Sequence, residues 1–173
     1  MMIKKANADQ YHSVRAFYHS LIDGIADRPY SAGWKKDIYP APDYLLNAIR
    51  NGELYIALEN HEIIASMVLN HECNEGYHKY QWLTKAEQDE ISVIHALGVH
   101  PLHTGKGYAK KMVKFAIETA QKNHQKAIRL DVLKGNVPAE KLYAGLGFQH
   151  LHTLPMFYDD TGWTDYELYE YKL

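Results

Sequence analysis

Val99-His100-Pro101-Leu102-His103-Thr104-Gly105-Lys106-Gly107-Tyr108-Ala109 follows a strand-like run, Ile91 to Val99, and opens a helix-like run that lasts to about Lys122. A strand, a glycine-bearing turn and a helix start together make the local geometry of a phosphate cradle. The first N–H groups of a helix have no partner within it and point at whatever sits ahead of it. Glycines let the backbone approach such a ligand closely and adopt φ values that other residues resist. Lys106, Lys110 and Lys111 crowd this helix start with no acid to balance them. Cations at a helix N-terminus are unfavourable by roughly 0.3–1 kcal/mol each, and a bound polyanion reverses that sign. The competing reading is a solvated lysine face.

Outward from this stretch the chain alternates strands and helices. Ile3 to Ala6 reads as a short strand. Asp9 is placed to cap a helix with Tyr11, Val14, Phe17, Leu21 and Ile22 at helical spacing. Gly24 to Gly33 reads as a loop, and Asp43 as the cap of a short helix ending near Gly52. Leu54–Leu58 and Ile63–Leu69 form a hairpin. Asn70 to Glu90 is irregular, with a capping-box pattern at Thr84-Lys85-Ala86-Glu87. Past the glycine turn, the helix from about Gly105 to Lys122 carries an apolar face through Tyr108, Met112, Phe115 and Ala116. Ile128, Leu130 and Val132 alternate in the next strand, so this strand–helix–strand unit reads as a right-handed parallel crossover. Pro138 suits the start of a further helix that Gly145 and Gly147 stop. Phe148–Tyr158 and Trp163–Tyr171 form a last hairpin.

Composition sets limits. The 173 residues suit a single domain over the whole chain, and 46% hydrophobic with 23% charged is ordinary for a globular protein. A net charge of −2 gives no nucleic-acid surface. Cys73 is the sole cysteine, which excludes an internal disulfide and fits a reducing compartment. No apolar run approaches the roughly 18 residues of a membrane span, and Met1-Met2-Ile3-Lys4-Lys5 lacks the apolar stretch of a signal peptide. The expectation is a cytoplasmic protein that engages neither membrane nor nucleic acid. Eleven histidines invite a metal, yet His100/His103, His150/His152 and His71-Glu72-Cys73 match no zinc spacing, so no metal is expected.

Two blocks together give a resemblance. Val99-His100-Pro101 with Thr104-Gly105-Lys106-Gly107-Tyr108-Ala109 is similar to the pyrophosphate loop of the GNAT superfamily of acyl-CoA-dependent N-acyltransferases, usually written Gln/Arg-x-x-Gly-x-Gly/Ala. Gly107 and Ala109 fill the small-residue positions, and Thr104 stands where Gln or Arg is usual. Leu130-Asp131-Val132, Asn136, Ala139, Leu142-Tyr143 and Leu146-Gly147-Phe148 resemble the second CoA-facing block, which often ends in Tyr-x-x-x-Gly-Phe. The motif-bearing part runs from about Ile91 to Phe148. A Walker loop is disfavoured because Gly105-Lys106 lacks the following Ser/Thr, and a dinucleotide fold because G-x-G-x-x-G is absent.

The resemblance implies an α/β fold, a single domain with a mixed, mostly antiparallel twisted sheet of about seven strands, about four flanking helices and one parallel βαβ step. It implies acetyl-CoA as cosubstrate, with pantetheine against the backbone of Leu97, Gly98 and Val99 in a V-shaped opening between two strands. The pyrophosphate would rest on the N–H groups of Thr104, Gly105, Lys106, Gly107, Tyr108 and Ala109, and Asn136 belongs to the same set. Direct attack of a primary amine in a ternary complex gives a tetrahedral oxyanion, for which a backbone N–H from Leu97–Val99 is the candidate stabiliser. Tyr143 falls where family members place the tyrosine that protonates the leaving thiolate. Val93 occupies the position of a glutamate base found in some members. His95, two residues on and on the same strand face, is the candidate base.

The acceptor is expected to be a small-molecule or peptide amine. Arg28–Tyr39 and Tyr77–Trp82 are its expected walls, with Tyr30, Trp34, Tyr39, Tyr80 and Trp82 as candidate lining residues. Alternatives are a longer acyl group, a protein N-terminus as acceptor, or a non-catalytic acyl-CoA sensor. The Tyr- and Trp-rich final hairpin is compatible with a homodimer and equally with intramolecular packing.

Overall fold

The computed structural model describes residues 1–173. Seven strands form one sheet in the order β1-β2-β3-β4-β5-β7-β6. They are β1 (Met2–Lys5), β2 (Leu54–Glu59), β3 (Glu62–Asn70), β4 (Ile91–Val99), β5 (Ala127–Leu133), β6 (Gln149–Tyr158) and β7 (Gly162–Lys172). Four helices flank it: α1 (Tyr11–Ile25), α2 (Pro42–Arg50), α3 (Tyr108–Lys122) and α4 (Val137–Ala144). Every neighbouring pair is antiparallel except β4 and β5, which are joined through α3.

Local chemistry explains the elements and corrects several of their expected limits. The β2–β3 turn is two residues, Asn60 and His61, both at positive φ, as a tight hairpin demands. A short 3-10 turn precedes α1, and the Asn7 amide donates to Gln10 Oε1 at 3.2 Å, so Asn7 rather than Asp9 opens the segment. Pro42 leads α2 behind Ala41, and Asp43 sits within its first turn instead of capping it. The capping interaction of the irregular segment lies at Glu87 and Glu90, not at Thr84, whose amide is held by Glu170. The third helix starts at Tyr108, because Gly105 and Gly107 both hold φ of 78° and extend the loop by a turn.

Two apolar layers sandwich the sheet. Met112, Val113, Ala116 and Ala120 of α3 pack on one face with Tyr143 and Phe148. Val14, Phe17, Tyr18 and Leu21 of α1 pack on the other with Leu45 and Ile49 of α2. Tyr166 and Tyr169 of β7 are buried, so these hairpin tyrosines serve sheet packing, while Trp163 and Phe157 at its tip stay exposed.

Two features of the central strands shape the site. β4 and β5 pair only over Ile91–Val93 against Ala127–Arg129 and then part. β4 also bulges: Val68 faces His95 while Ser66 faces Gly98, so β4 carries one residue more than β3 there, and Ala96 takes φ of 49°. A bulge re-aims the side chains and carbonyls around it.

Candidate active site

The parting of β4 and β5 opens the sheet in the middle. One side of the opening is a cleft of about 590 Å³ lined by Leu97, Gly98, Val99 and the loop from His103 to Lys110, with the Lys106 side chain outside it. The other is a smaller cavity of about 110 Å³ between His95, Asp131, Tyr158 and Tyr166. Ala32, Trp34, Leu97, Asn136, Ala139 and Tyr143 line both, so the two spaces meet at these residues.

The cleft end is a cradle of backbone donors. None of the amides from Thr104 to Lys110 finds a protein acceptor; the first bond of the helix runs from the Lys111 amide to the Gly107 carbonyl at 3.1 Å. A Cβ built at Gly105 or Gly107 meets nothing within 4 Å. Open space ahead of unpaired amides fits a nucleotide diphosphate. Lys106, Lys110 and Lys111 form no ion pair with any carboxylate, and Lys111 lies over the Tyr108 ring at 5.4 Å. The Thr104 hydroxyl turns back to the Pro101 carbonyl at 3.1 Å, which leaves the backbone as the polar face of the loop. His103 lines the same cleft with a buried Nδ1 that has no protein partner.

Close packing fixes this loop against α1. A Cβ at Gly24 would stand 2.2 Å from Pro101 Cγ, and one at Gly98 would stand 2.2 Å from Leu21 Cδ2. The Pro101 ring packs directly on the Gly24 backbone and the Leu21 side chain on that of Gly98, so a larger residue at either position would displace its neighbour.

Tyr143 reaches the junction from α4. Burial pushes its phenol well above the ordinary tyrosine range, with the Asp131 charge acting in the same direction. Its hydroxyl has no protein partner and is not sealed from the two spaces. Asn136, at the start of α4, lines both spaces and leaves its side chain uncommitted.

The smaller cavity holds His95 and two carboxylates. His95 Nε2 donates to the Glu72 carbonyl at 3.0 Å, so Nδ1 carries the lone pair. Burial pushes its pKa down to about 4. Asp131, quoted above only as part of a motif, is the central acid. Tyr77 and Tyr158 both donate to its Oδ2, at 2.8 and 2.7 Å. Burial raises the Asp131 pKa, and the two phenols oppose that rise. Asp160, 4% exposed, joins it from the β6–β7 turn.

The expected acceptor walls divide. Tyr39 lines the small cavity, Trp34 lines both spaces, and Tyr30 lines the larger cleft. Tyr80 and Trp82 face a different hollow beside Arg129. From there Trp82 accepts the Arg129 guanidinium on its ring at 4.4 Å and donates to the Tyr77 carbonyl at 3.0 Å. These two residues position Tyr77, and Tyr77 holds Asp131.

Comparison with known proteins agrees with this geometry. The Acetyltransferase (GNAT) family model matches residues 20–148. The chain belongs to the GNAT acetyltransferase family. N-alpha-acetyltransferase 30 of Saccharomyces cerevisiae is 35% identical over 69 residues, which is 40% of this chain and 39% of that relative. The chain thus aligns with well under half of that protein's length. A GNAT-family acetyltransferase structure from Streptococcus agalactiae superposes with a TM-score of 0.82 at 20% identity, covering 99% of this chain and 95% of that one. The PaiA N-acetyltransferase of Thermoplasma acidophilum, solved with coenzyme A, superposes with a TM-score of 0.74 at 17% identity, covering 99% and 98%. The GNAT fold therefore spans the whole chain, including the N-terminal half, which carries no diagnostic residues.

Proposed function

We propose that the protein is an N-acetyltransferase that moves an acetyl group from acetyl-CoA to a primary amine by direct attack in a ternary complex. One observation carries this reading: a cleft edged by unpaired amides and a carboxylate-bearing cavity meet at Tyr143, beside the point where β4 and β5 separate. Acetyl-CoA supplies an activated thioester, with its diphosphate on the amides of Thr104–Ala109 and its arm along Leu97–Val99. Asn136 stands beside that arm.

The residues then have distinct tasks. A backbone N–H of the Leu97–Val99 stretch faces the thioester oxygen as its charge develops. Tyr143 gives its proton to the departing sulfur, and burial keeps the phenol protonated until that moment. Burial keeps the His95 ring neutral at neutral pH, so Nδ1 has a free lone pair; with a pKa of about 4 the ring takes the amine's proton only in passing and hands it on to solvent. The products are an N-acetyl amine and CoA thiol, with one further proton released when the amine arrives as ammonium.

The test is acceptor-dependent thiol release with purified protein and acetyl-CoA across diamines, monoamines, amino acids and short peptides. Thiol release with at least one amine supports the assignment. Tight CoA binding with no acceptor-dependent release across the panel replaces it with an acyl-CoA sensor.

A further inference from the structure

Asp131 stands apart from the ion-paired acids of this protein. Glu90, Glu170, Asp37 and Asp165 each have a basic partner within 3.1 Å. Asp131 has none, although it sits on a central strand inside a cavity. Both of its phenolic donors use Oδ2. Oδ1 has no protein donor and is not enclosed by the protein, so it faces the cavity. Retaining an unpaired carboxylate there is costly unless something compensates it.

The surroundings favour an organic cation over a metal or an anion. Trp34, Tyr39, Tyr158 and Tyr166 line the space with aromatic surface, which attracts cations through its π-faces. Asp160 adds a second negative group, and the closest cation acting on it is Lys35, which is exposed and forms no hydrogen bond to it. The remaining titratable group, His95, is neutral at neutral pH. The two carboxylates therefore give the cavity a net negative field.

The chemistry separates two roles for positive charge. The nitrogen that attacks the thioester must shed its charge first. A carboxylate pinned by two phenols is suited instead to a group that keeps its charge throughout. We infer that the acceptor carries a second cationic group besides the amine that is acetylated, and that Asp131 Oδ1 anchors that group. The acceptor class is a short diamine or an amine bearing a guanidinium. The inference rests on the acetyltransferase reading, and a cavity of about 110 Å³ limits the buried part of the guest to a few heavy atoms.

The experiment compares 1,4-diaminobutane with butylamine, and agmatine with amino alcohols, which carry a single charge, as acceptors in thiol release. Thermal stabilisation of the protein by each amine without acetyl-CoA is a second readout. The expected result is a kcat/KM at least tenfold higher for the dications and stabilisation by dications alone. In Asp131→Asn that preference collapses through KM, while CoA stabilises the variant as it does the wild type. Equal kcat/KM and equal stabilisation for mono- and dications in the wild-type protein overturn the inference, as does a preference that survives in a folded Asp131→Asn. If no amine releases thiol yet dications still stabilise the protein through Asp131, the cation site stands and the acetyltransferase reading falls.

Discussion

The buried hydroxyl of Tyr18 donates to the carbonyl oxygen of Ala96 at 2.8 Å, across 78 residues of sequence. Ala96 is the left-handed residue of the β4 bulge, so α1 holds the strand in the shape that frees its edge toward β5. The same hydroxyl reaches Ser66 Oγ at 3.1 Å on β3. Tyr18→Phe leaves the Ala96 carbonyl buried without its donor. Such losses cost about 1–3 kcal/mol. Chemical denaturation of the variant is expected to show a loss in that range, together with a raised KM for acetyl-CoA. A variant as stable as the wild type with unchanged KM would separate the bulge from the helix.

Gly107→Ala tests the amide cradle. An alanine at φ of 78° costs about 1–2 kcal/mol of backbone energy. Its methyl meets no protein atom and points into the space ahead of the loop. Ligand-free stability should fall by only that backbone cost, whereas stabilisation by CoA should nearly vanish. For the wild type, CoA at a hundred times its dissociation constant adds about 2.7 kcal/mol. A full CoA-induced shift in Gly107→Ala would put the diphosphate elsewhere.

Tyr143→Phe removes the proton donor without opening a cavity. General acids of this kind contribute roughly 10²–10⁴ in rate. Turnover should drop within that span while CoA stabilisation and folding stay as they are, because the hydroxyl holds no protein partner that the change would strand. Unchanged turnover would assign proton delivery to another group or to water.

The glycine-loop end of the candidate site is legible in the sequence and most of the smaller cavity is not, for a physical reason. Phosphate cradles are local: Gly105, Gly107 and the start of α3 lie within a few residues, and their spacing alone carries the geometry. The smaller cavity is assembled from distant segments. Tyr77 meets Asp131 across 54 residues, out of a segment that reads as irregular. Asp131 alternates with Leu130 and Val132 as a solvent-facing residue would, and only the position of β5 between β4 and β7 makes it interior. An acid on an inner strand is the one available signal. Asp160 sits in a turn of polar residues and gives none. Element ends shift where a neighbour claims the cap, as Glu170 does at Thr84.

His95 gives a pH signature in stability and in rate. An unfolded histidine titrates near 6.5, and burial lowers the folded value to about 4. Between these values the unfolded chain binds the extra proton, so stability rises with pH across the window. The contribution is complete above about pH 6.5 and is lost as pH falls toward 4. Replacing the ring removes this dependence: the difference in unfolding free energy between wild type and His95→Gln should change across pH 4 to 6.5 and level off above it. If His95 also receives the amine's proton, the acidic limb of kcat in His95→Ala should move. A stability difference that tracks pH alongside an unaltered rate profile would leave His95 a buried wall of the cavity and assign the proton to a different acceptor.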